Sequence, residues 1–335
     1  MKGVKPMHKR LPALRSVLEP SGLSLFLAPF YGVGEWKECV FWLHGLNDTY
    51  RVRTTEGLFI LRVCRTELRE EDAAYETELL MGLNKALGDG ATGVSEAVSR
   101  IDGGLYTMLE APEGHRAAIL FRYAEGQENT LHDEASCFVF GKSAAELHSA
   151  MDRVQTRSIN RFTLDTSFLI DQPAAKIIEY IGAGHCAAPF LRQFAETLKE
   201  RIAAAAAKGL DWGLCHGDMH GNNNAFQRDN GFIHYDFEWA APGWRAYDLA
   251  QVRIRKRQPR EEDRERLWQA VMSGYRSVRP FSAQDEEMID TFVWVRRLWV
   301  MGLDVLFIPS TSGALDYGEE WLQSFVDEFR SARLE

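Results

Sequence analysis

The densest run of reactive side chains lies between Leu214 and Phe237. Asp218 is followed five positions later by Asn223, and Asp236 stands eighteen positions after Asp218. Moving a phosphoryl group from a nucleotide needs a carboxylate to orient or deprotonate the accepting hydroxyl. It also needs two oxygen ligands to hold magnesium on the phosphates. An Asp-x4-Asn run with a later Asp supplies both. Asp218 is then the candidate catalytic carboxylate, and Asn223 and Asp236 are the candidate metal ligands. The chemistry expected is Mg²⁺-dependent transfer of a phosphoryl group from a nucleotide to a hydroxyl.

Other chemistries fit the same stretch less well. His216 and His220 have the i, i+4 spacing that can hold zinc on a helix. A zinc protease wants Glu after the first His, but Gly217 stands there among further glycines that disfavour a helix. Cys215 beside His216 makes a poor nucleophile pair, because adjacent residues rarely meet in catalytic geometry, so a buried thiol is expected. His216 is expected to be a packed, hydrogen-bonded support for the loop, and His234 a structural residue of a strand. A nucleotide-binding pseudoenzyme serving as an interaction module is the alternative from another class. The intact Asp218, Asn223 and Asp236 weigh against it.

The elements that must position these residues fall into two parts. The first third is β-rich, with strands expected over Trp36–Leu43, Thr49–Arg53 and Leu58–Cys64 and a turn at Thr54-Thr-Glu-Gly57. A helix over Glu70–Leu87 follows, ended by Gly88-Asp-Gly90, and then a second hairpin of Leu105–Leu109 and Ala117–Tyr123. From Asp133 helices dominate: Glu134–Arg153, Ala174–Tyr180, Pro189–Lys208, Glu261–Tyr275, Asp285–Met301 and Gly318–Arg333. Loops and a small hairpin turning at Asp229-Asn-Gly231 interrupt them. The composition shift near Ala124–Asp133 divides the chain into an N-terminal nucleotide-binding lobe, 1–124, and a C-terminal catalytic and acceptor-binding lobe, 125–335.

Two charges in the first part stand out. Arg62 lies inside the apolar strand Leu58-Phe-Ile-Leu-Arg-Val-Cys64, where a cation is costly unless paired or facing a site. Glu76 shares a helical face with Leu80, Leu83 and Leu87. A strand cation and a helix anion of this kind are expected to pair, with Arg62 directed at nucleotide phosphates. The connection between the first two strands, Leu43–Val52, lies where a phosphate-covering loop would be. It contains Asn47 as a candidate nucleotide contact, although its lone Gly45 does not make a Gly-x-Gly-x-x-Gly pattern.

The 335 residues are 45% hydrophobic and 26% charged, as in an ordinary globular protein. No apolar run approaches the ~18 residues of a membrane span. Glu19 separates the basic start, Met1–Arg10, from apolar Leu23–Phe30, so a signal peptide is not expected. Five scattered cysteines suit a reducing, cytoplasmic setting. The net charge of −9 disfavours nucleic acid as a partner. Between Ser282 and Glu335 eleven acidic residues face four basic ones. That stretch reads as a solvated face, or more sharply as a wall attracting a cationic substrate. Within it, Asp285, Glu286, Glu287, Asp290 and Asp304 suit an amine on the acceptor, and Arg296-Arg297 a carboxylate. The run Arg253-Ile-Arg-Lys-Arg257, with Arg260, reads as a solvated helix end or loop.

Taken together, His216-Gly-Asp-Met-His220 with Asn223, Asp236-Phe-Glu-Trp-Ala240 and Tyr247-Asp-Leu-Ala250 resemble the motifs of the aminoglycoside phosphotransferase and choline kinase superfamily, with type II homoserine kinases close by. The likeness runs from about Phe41 to Leu303. It implies an α+β, two-lobed protein-kinase-like fold, with an antiparallel five-stranded N-lobe carrying one main helix, a mainly helical C-lobe, and ATP between the lobes. By position it implies that Asp218 is the catalytic carboxylate and that Asn223 and Asp236 are the Mg²⁺ ligands. It also implies that the backbone of Arg122 and Ala124, in the hinge Phe121–Gly126, meets adenine. Asp248 matches a structural aspartate. Arg62 stands where the family more often has lysine, with a different donor geometry. Gly217 stands where regulated protein kinases have arginine, which narrows the expectation to kinases of small molecules. The acceptors left open are an aminoglycoside, an amino alcohol and a homoserine-like amino acid.

Overall fold

A computed structural model describes residues 11–128, 130–158, 161–227, 231–253, 260–332 and 334. Residues 1–10, positions 229 and 230 of the expected turn and positions 254–257 of the basic run lie outside them. In chain order the first elements are α1 (Pro20–Leu27), β1 (Trp36–His44), β2 (Asp48–Thr54), β3 (Gly57–Val63), α2 (Glu70–Leu87), β4 (Gly93–Val94), β5 (Thr107–Ala111) and β6 (Gly114–Arg122). Then come α3 (Glu134–Met151), α4 (Gln172–Ile181), α5 (Ala188–Ala206), β7 (Trp212–Cys215), β8 (Asn224–Gln227), β9 (Gly231–His234) and β10 (Ala241–Trp244). The last helices are α6 (Arg245–Arg253), α7 (Glu261–Arg276), α8 (Ala283–Glu287), α9 (Ile289–Phe307) and α10 (Glu319–Arg330). The chain forms two compact units, residues 1–70 with 99–120, and residues 71–98 with 121–335.

The first unit is built on one sheet in the order β1-β2-β3-β6-β5. Its hairpins are antiparallel, with two-residue turns at Thr55-Glu56 and Pro112-Glu113. Tyr50, Val52, Phe59, Leu61 and Val63 are buried on the sheet. α1 starts at a proline with the Glu19 carboxylate accepting from the Gly22 amide at 2.7 Å. The apolar run Leu23–Phe30 is therefore largely helical, an element the sequence reading left unassigned.

The second unit holds α2 from residue 71 onward together with the mainly helical remainder. α2 has the limits expected, because Ala73, Glu76, Leu80 and Leu83 recur at helical spacing on its buried side. Helices α3 and α7 approach closely. A Cβ on Gly141 would lie 1.9 Å from the Val271 carbonyl, and one on Gly274 1.9 Å from that of Phe138, so the crossing requires glycine at both positions. Two small sheets carry the loops of interest: β10 pairs with β7, and β4, β9 and β8 form a second sheet. The expected helix Asp285–Met301 is two helices. Ser282 caps α8, its Oγ accepting from the Asp285 amide at 3.0 Å, and the chain breaks at Met288 before α9. Among the described residues no helix is long and apolar enough to cross a membrane.

Candidate active site

Asp218 follows β7, and Asn223 immediately precedes β8, so the loop between two strands carries both. The Asn223 Nδ2 donates to the Asp218 carbonyl at 3.0 Å and to Asp218 Oδ2 at 2.9 Å. The amide nitrogen is thereby committed, and the side-chain oxygen is the atom left to meet a cation. Tyr235 donates its backbone N–H to the Asn223 carbonyl at 3.1 Å, so Asp236 follows directly after a residue fixed to Asn223. Among the described residues Asp236 is the one non-glycine residue with positive φ, at 66°. A carboxylate held in that sparsely populated region marks a place where surrounding structure imposes the backbone. One amide oxygen and one carboxylate are hard oxygen donors suited to Mg²⁺, which completes its shell with water and phosphate oxygens. Among the described residues no cluster of three or more His, Cys, Asp or Glu side chains is placed to hold a metal alone, in keeping with so sparse a donor set.

The loop that carries Asp218 is fixed from behind by α6. Asp248, fully buried, accepts from the backbone N–H of His216 at 2.6 Å and of Gly217 at 2.8 Å. His148 of α3 lies 3.1 Å from the same carboxylate through Nε2, and its Nδ1 is 2.9 Å from the Tyr275 hydroxyl. Gln251 donates to the Gly217 carbonyl at 3.0 Å. Gly217 has φ of +80°, and a Cβ there would lie 2.1 Å from the Trp239 carbonyl. Arginine is thus excluded at 217 by backbone shape as well as by sequence. His216 ties the loop to the segment before Asp236: its Nδ1 accepts from the Asp218 amide at 3.2 Å and its Nε2 donates to the Tyr235 carbonyl at 3.1 Å. Both bonds suit a neutral ring, and burial pushes its pKa down. The expected supporting role of His216 matches this geometry.

Asp218 is itself buried, with 9% exposure. Burial would raise its pKa, but the Arg296 guanidinium, with the hydrogen bond from His220, overrides this and holds the carboxyl below the usual range. Arg296, on α9, donates through one terminal nitrogen to Asp218 Oδ1. Its other terminal nitrogen reaches the Gly217 carbonyl at 3.3 Å and the Tyr247 hydroxyl at 3.4 Å. The guanidinium lies over the Trp299 ring, 4.5 Å from its centre, and Trp299 meets Trp239 edge-on at 5.0 Å. Sequence reasoning offered Arg296 as a possible carboxylate reader but missed this contact, because nothing local links positions 78 residues apart.

Several of the other acceptor cues are also engaged within the fold. Asp285 accepts from the Asp211 amide at 3.0 Å, Glu286 pairs with Arg276 at 2.5 Å, and Arg297 pairs with Glu328 at 2.6 Å. Asp304 accepts from the Trp321 indole at 3.3 Å. Cys215 is a fully buried thiol whose pKa burial pushes up, unlike a nucleophile. Of the remaining candidates, Arg62 lies buried on β3 of the first unit, and Asn47 accepts from the Arg65 backbone at 3.0 Å in the same unit. In the second unit Glu76 is buried on α2, and the Arg122 amide donates to the Glu96 carbonyl at 2.9 Å.

An uncharacterized protein of Deinococcus radiodurans is 36% identical over 327 residues, 96% of this chain and 90% of the relative. A homoserine kinase of Neisseria meningitidis is 26% identical over 280 residues, covering 80% and 85% of the two chains. Among solved structures, a microcompartment-associated aminopropanol kinase superposes with a TM-score of 0.71 at 20% identity, over 92% of this chain and 94% of that one. That likeness establishes the α+β kinase-like fold. The model of the APH phosphotransferase enzyme family matches residues 43–281. With most of its length matched, the chain belongs to the APH phosphotransferase family.

Proposed function

We propose that this protein transfers the γ-phosphate of ATP, with Mg²⁺, to a hydroxyl of a small molecule, and that Asp218 is its catalytic residue. The observation that carries this is the fixed pairing of Asp218 with Asn223, which turns the amide oxygen of Asn223 toward a cation and keeps a carboxylate beside it. Asn223 and Asp236 would hold Mg²⁺, which supplies charge neutralisation on the phosphates when bound. Asp218, held ionised, accepts a hydrogen bond from the acceptor hydroxyl and orients its oxygen for in-line attack. Because the Arg122 amide is bound to Glu96, an adenine contact at 122 falls to its carbonyl, with the backbone of Ala124 as its neighbour. In the first unit Arg62 is the proposed source of positive charge for the phosphates and Asn47 a proposed nucleotide contact, and in the second Glu76 is a proposed counter-charge.

The acceptor class follows the names of the relatives, amino alcohol and homoserine, with aminoglycosides as the wider family alternative. The test is ADP release by purified protein with Mg·ATP and a panel of aminopropanol, ethanolamine, choline, homoserine and aminoglycosides. Stimulation by one class above the hydrolysis background is expected. Absence of Mg·ADP binding by calorimetry sinks the reading.

A further inference from the structure

Arg296 is held too specifically for a charge that merely neutralises a buried carboxylate. Its guanidinium is fixed by one face and two edges: Trp299 lies beneath it at 4.5 Å, Asp218 Oδ1 takes one terminal nitrogen, and the Gly217 carbonyl and Tyr247 hydroxyl take the other. Two of those partners, Gly217 and Asp218, are consecutive residues of the catalytic loop. The side chain therefore grips both the backbone and the carboxylate of that loop. Asn223 grips the same carboxylate through Oδ2, at 2.9 Å. With one oxygen tied to α9 and the other to the metal-ligand position, the plane of the carboxylate has no rotation left.

We propose that Arg296 is a positioning residue for phosphoryl transfer: its fork sets the orientation in which the Asp218 carboxylate meets the acceptor hydroxyl. The proposal rests on the reading of Asp218 as the acceptor-side carboxylate. It depends on geometry rather than charge, because a planar fork can bridge a carbonyl and a carboxylate at once, whereas an ammonium is a point charge on a flexible stem. The distinction matters for rate, since a misplacement of about 1 Å in a reacting group loses about 100-fold.

The experiment compares Arg296→Lys, Asp218→Asn and the double variant with the wild type. The readouts are Mg·ADP calorimetry, thermal melting and steady-state ADP release, using the responding acceptor from the panel, or water if none responds. Arg296→Lys keeps the cation beside Asp218. We expect its kcat to fall by about 10- to 100-fold, while Mg·ADP affinity and the nucleotide KM stay within about twofold. The double variant should be no slower than Asp218→Asn alone, because residues acting through one another are not additive. Wild-type kcat in Arg296→Lys overturns the proposal, as does a double-variant loss equal to the product of the two single losses. Tyr247→Phe provides a second probe should Arg296→Lys melt early. It removes one hydrogen bond from the guanidinium and should lower kcat by about fivefold with KM unmoved; an unchanged kcat counts against the proposal. The kinase reading fails separately, by absence of Mg·ADP binding in the wild type. Binding that persists while the Arg296 and Tyr247 variants keep full rate sinks the role of Arg296 alone.

Discussion

Each unit contains a buried aspartate–arginine pair, and the two are built to different ends. In the first unit Asp48 and Arg116 are sealed, with side-chain exposures of 0% and 1%. Arg116 also donates to the carbonyls of Cys64, Val63 and Ser16, and Asp48 takes Arg15 and His44 besides. In the second unit Asp218 and Arg296 keep 12% and 9% exposure, and the aspartate shares its oxygens with a proposed metal ligand. A sealed pair leaves nothing for a substrate to displace or join. The second pair is also held by several partners but leaves an edge open. Ion pairing alone therefore does not mark a site; what the remaining valences of the carboxylate face does.

The largest expected difference is in turnover. Asp218→Asn should reduce kcat by about 10³-fold or more and leave Mg·ADP binding nearly intact. Asp48→Asn should lower the amount of folded protein and leave the kcat of the folded fraction unchanged. Near-normal turnover in Asp218→Asn would remove the functional half of the contrast.

The next difference is in stability. Arg116→Met removes one partner of a sealed pair and leaves Asp48 and three backbone carbonyls short of a donor. A loss of about 3–5 kcal/mol is expected, read by denaturant unfolding. Arg296→Met should lose less, because water reaches the edge of Asp218. Equal losses would show that the two pairs are sealed alike.

These pairs also show what the sequence reveals and what it conceals. Asp218, Asn223 and Asp236 could be singled out as candidates because they lie within one short segment, and the Asp218–Asn223 hydrogen bond is one that such close spacing allows. The helix Glu70–Leu87 was legible from its apolar stripe, and the hairpins from their turns. Helix α6 escaped notice because residues Arg245 to Val252 are all buried, so no polar face gives it a period. The break at Met288 escaped because Asp285–Met301 keeps a helical pattern across it. Arg116 and Arg296 were hidden for a third reason: their partners lie 68 and 78 residues away, and only the folded chain brings them together.

The smallest expected effect separates the units by pH. Burial would raise the Asp48 carboxyl, but Arg116, His44 and Arg15 outweigh it and hold its pKa below the usual value. Its stabilisation is present above the unfolded pKa of about 4 and is lost as pH falls through the folded value. The second unit has three buried histidines, His148, His216 and His234, each lowered chiefly by burial, His234 to about 3. In the unfolded chain they take protons below about pH 6.5, whereas in the folded unit they do not, so stability is full above that pH and declines as pH falls from there. The second unit should therefore begin to weaken two pH units before the pair in the first is touched. His234, lowered to about 3, contributes a slope of about 1.4 kcal/mol per pH unit between its unfolded and folded values. His234→Phe keeps an aromatic ring against Phe140 and Phe232 and loses the 2.9 Å contact with Ser143 Oγ. At pH 7 it should be less stable than the wild type by about 1 kcal/mol. Between pH 7 and pH 5 it should then lose about 2 kcal/mol less than the wild type does. Urea unfolding at the two pH values measures both terms, and parallel pH slopes in the two proteins would mean that His234 already carries its proton in the folded state.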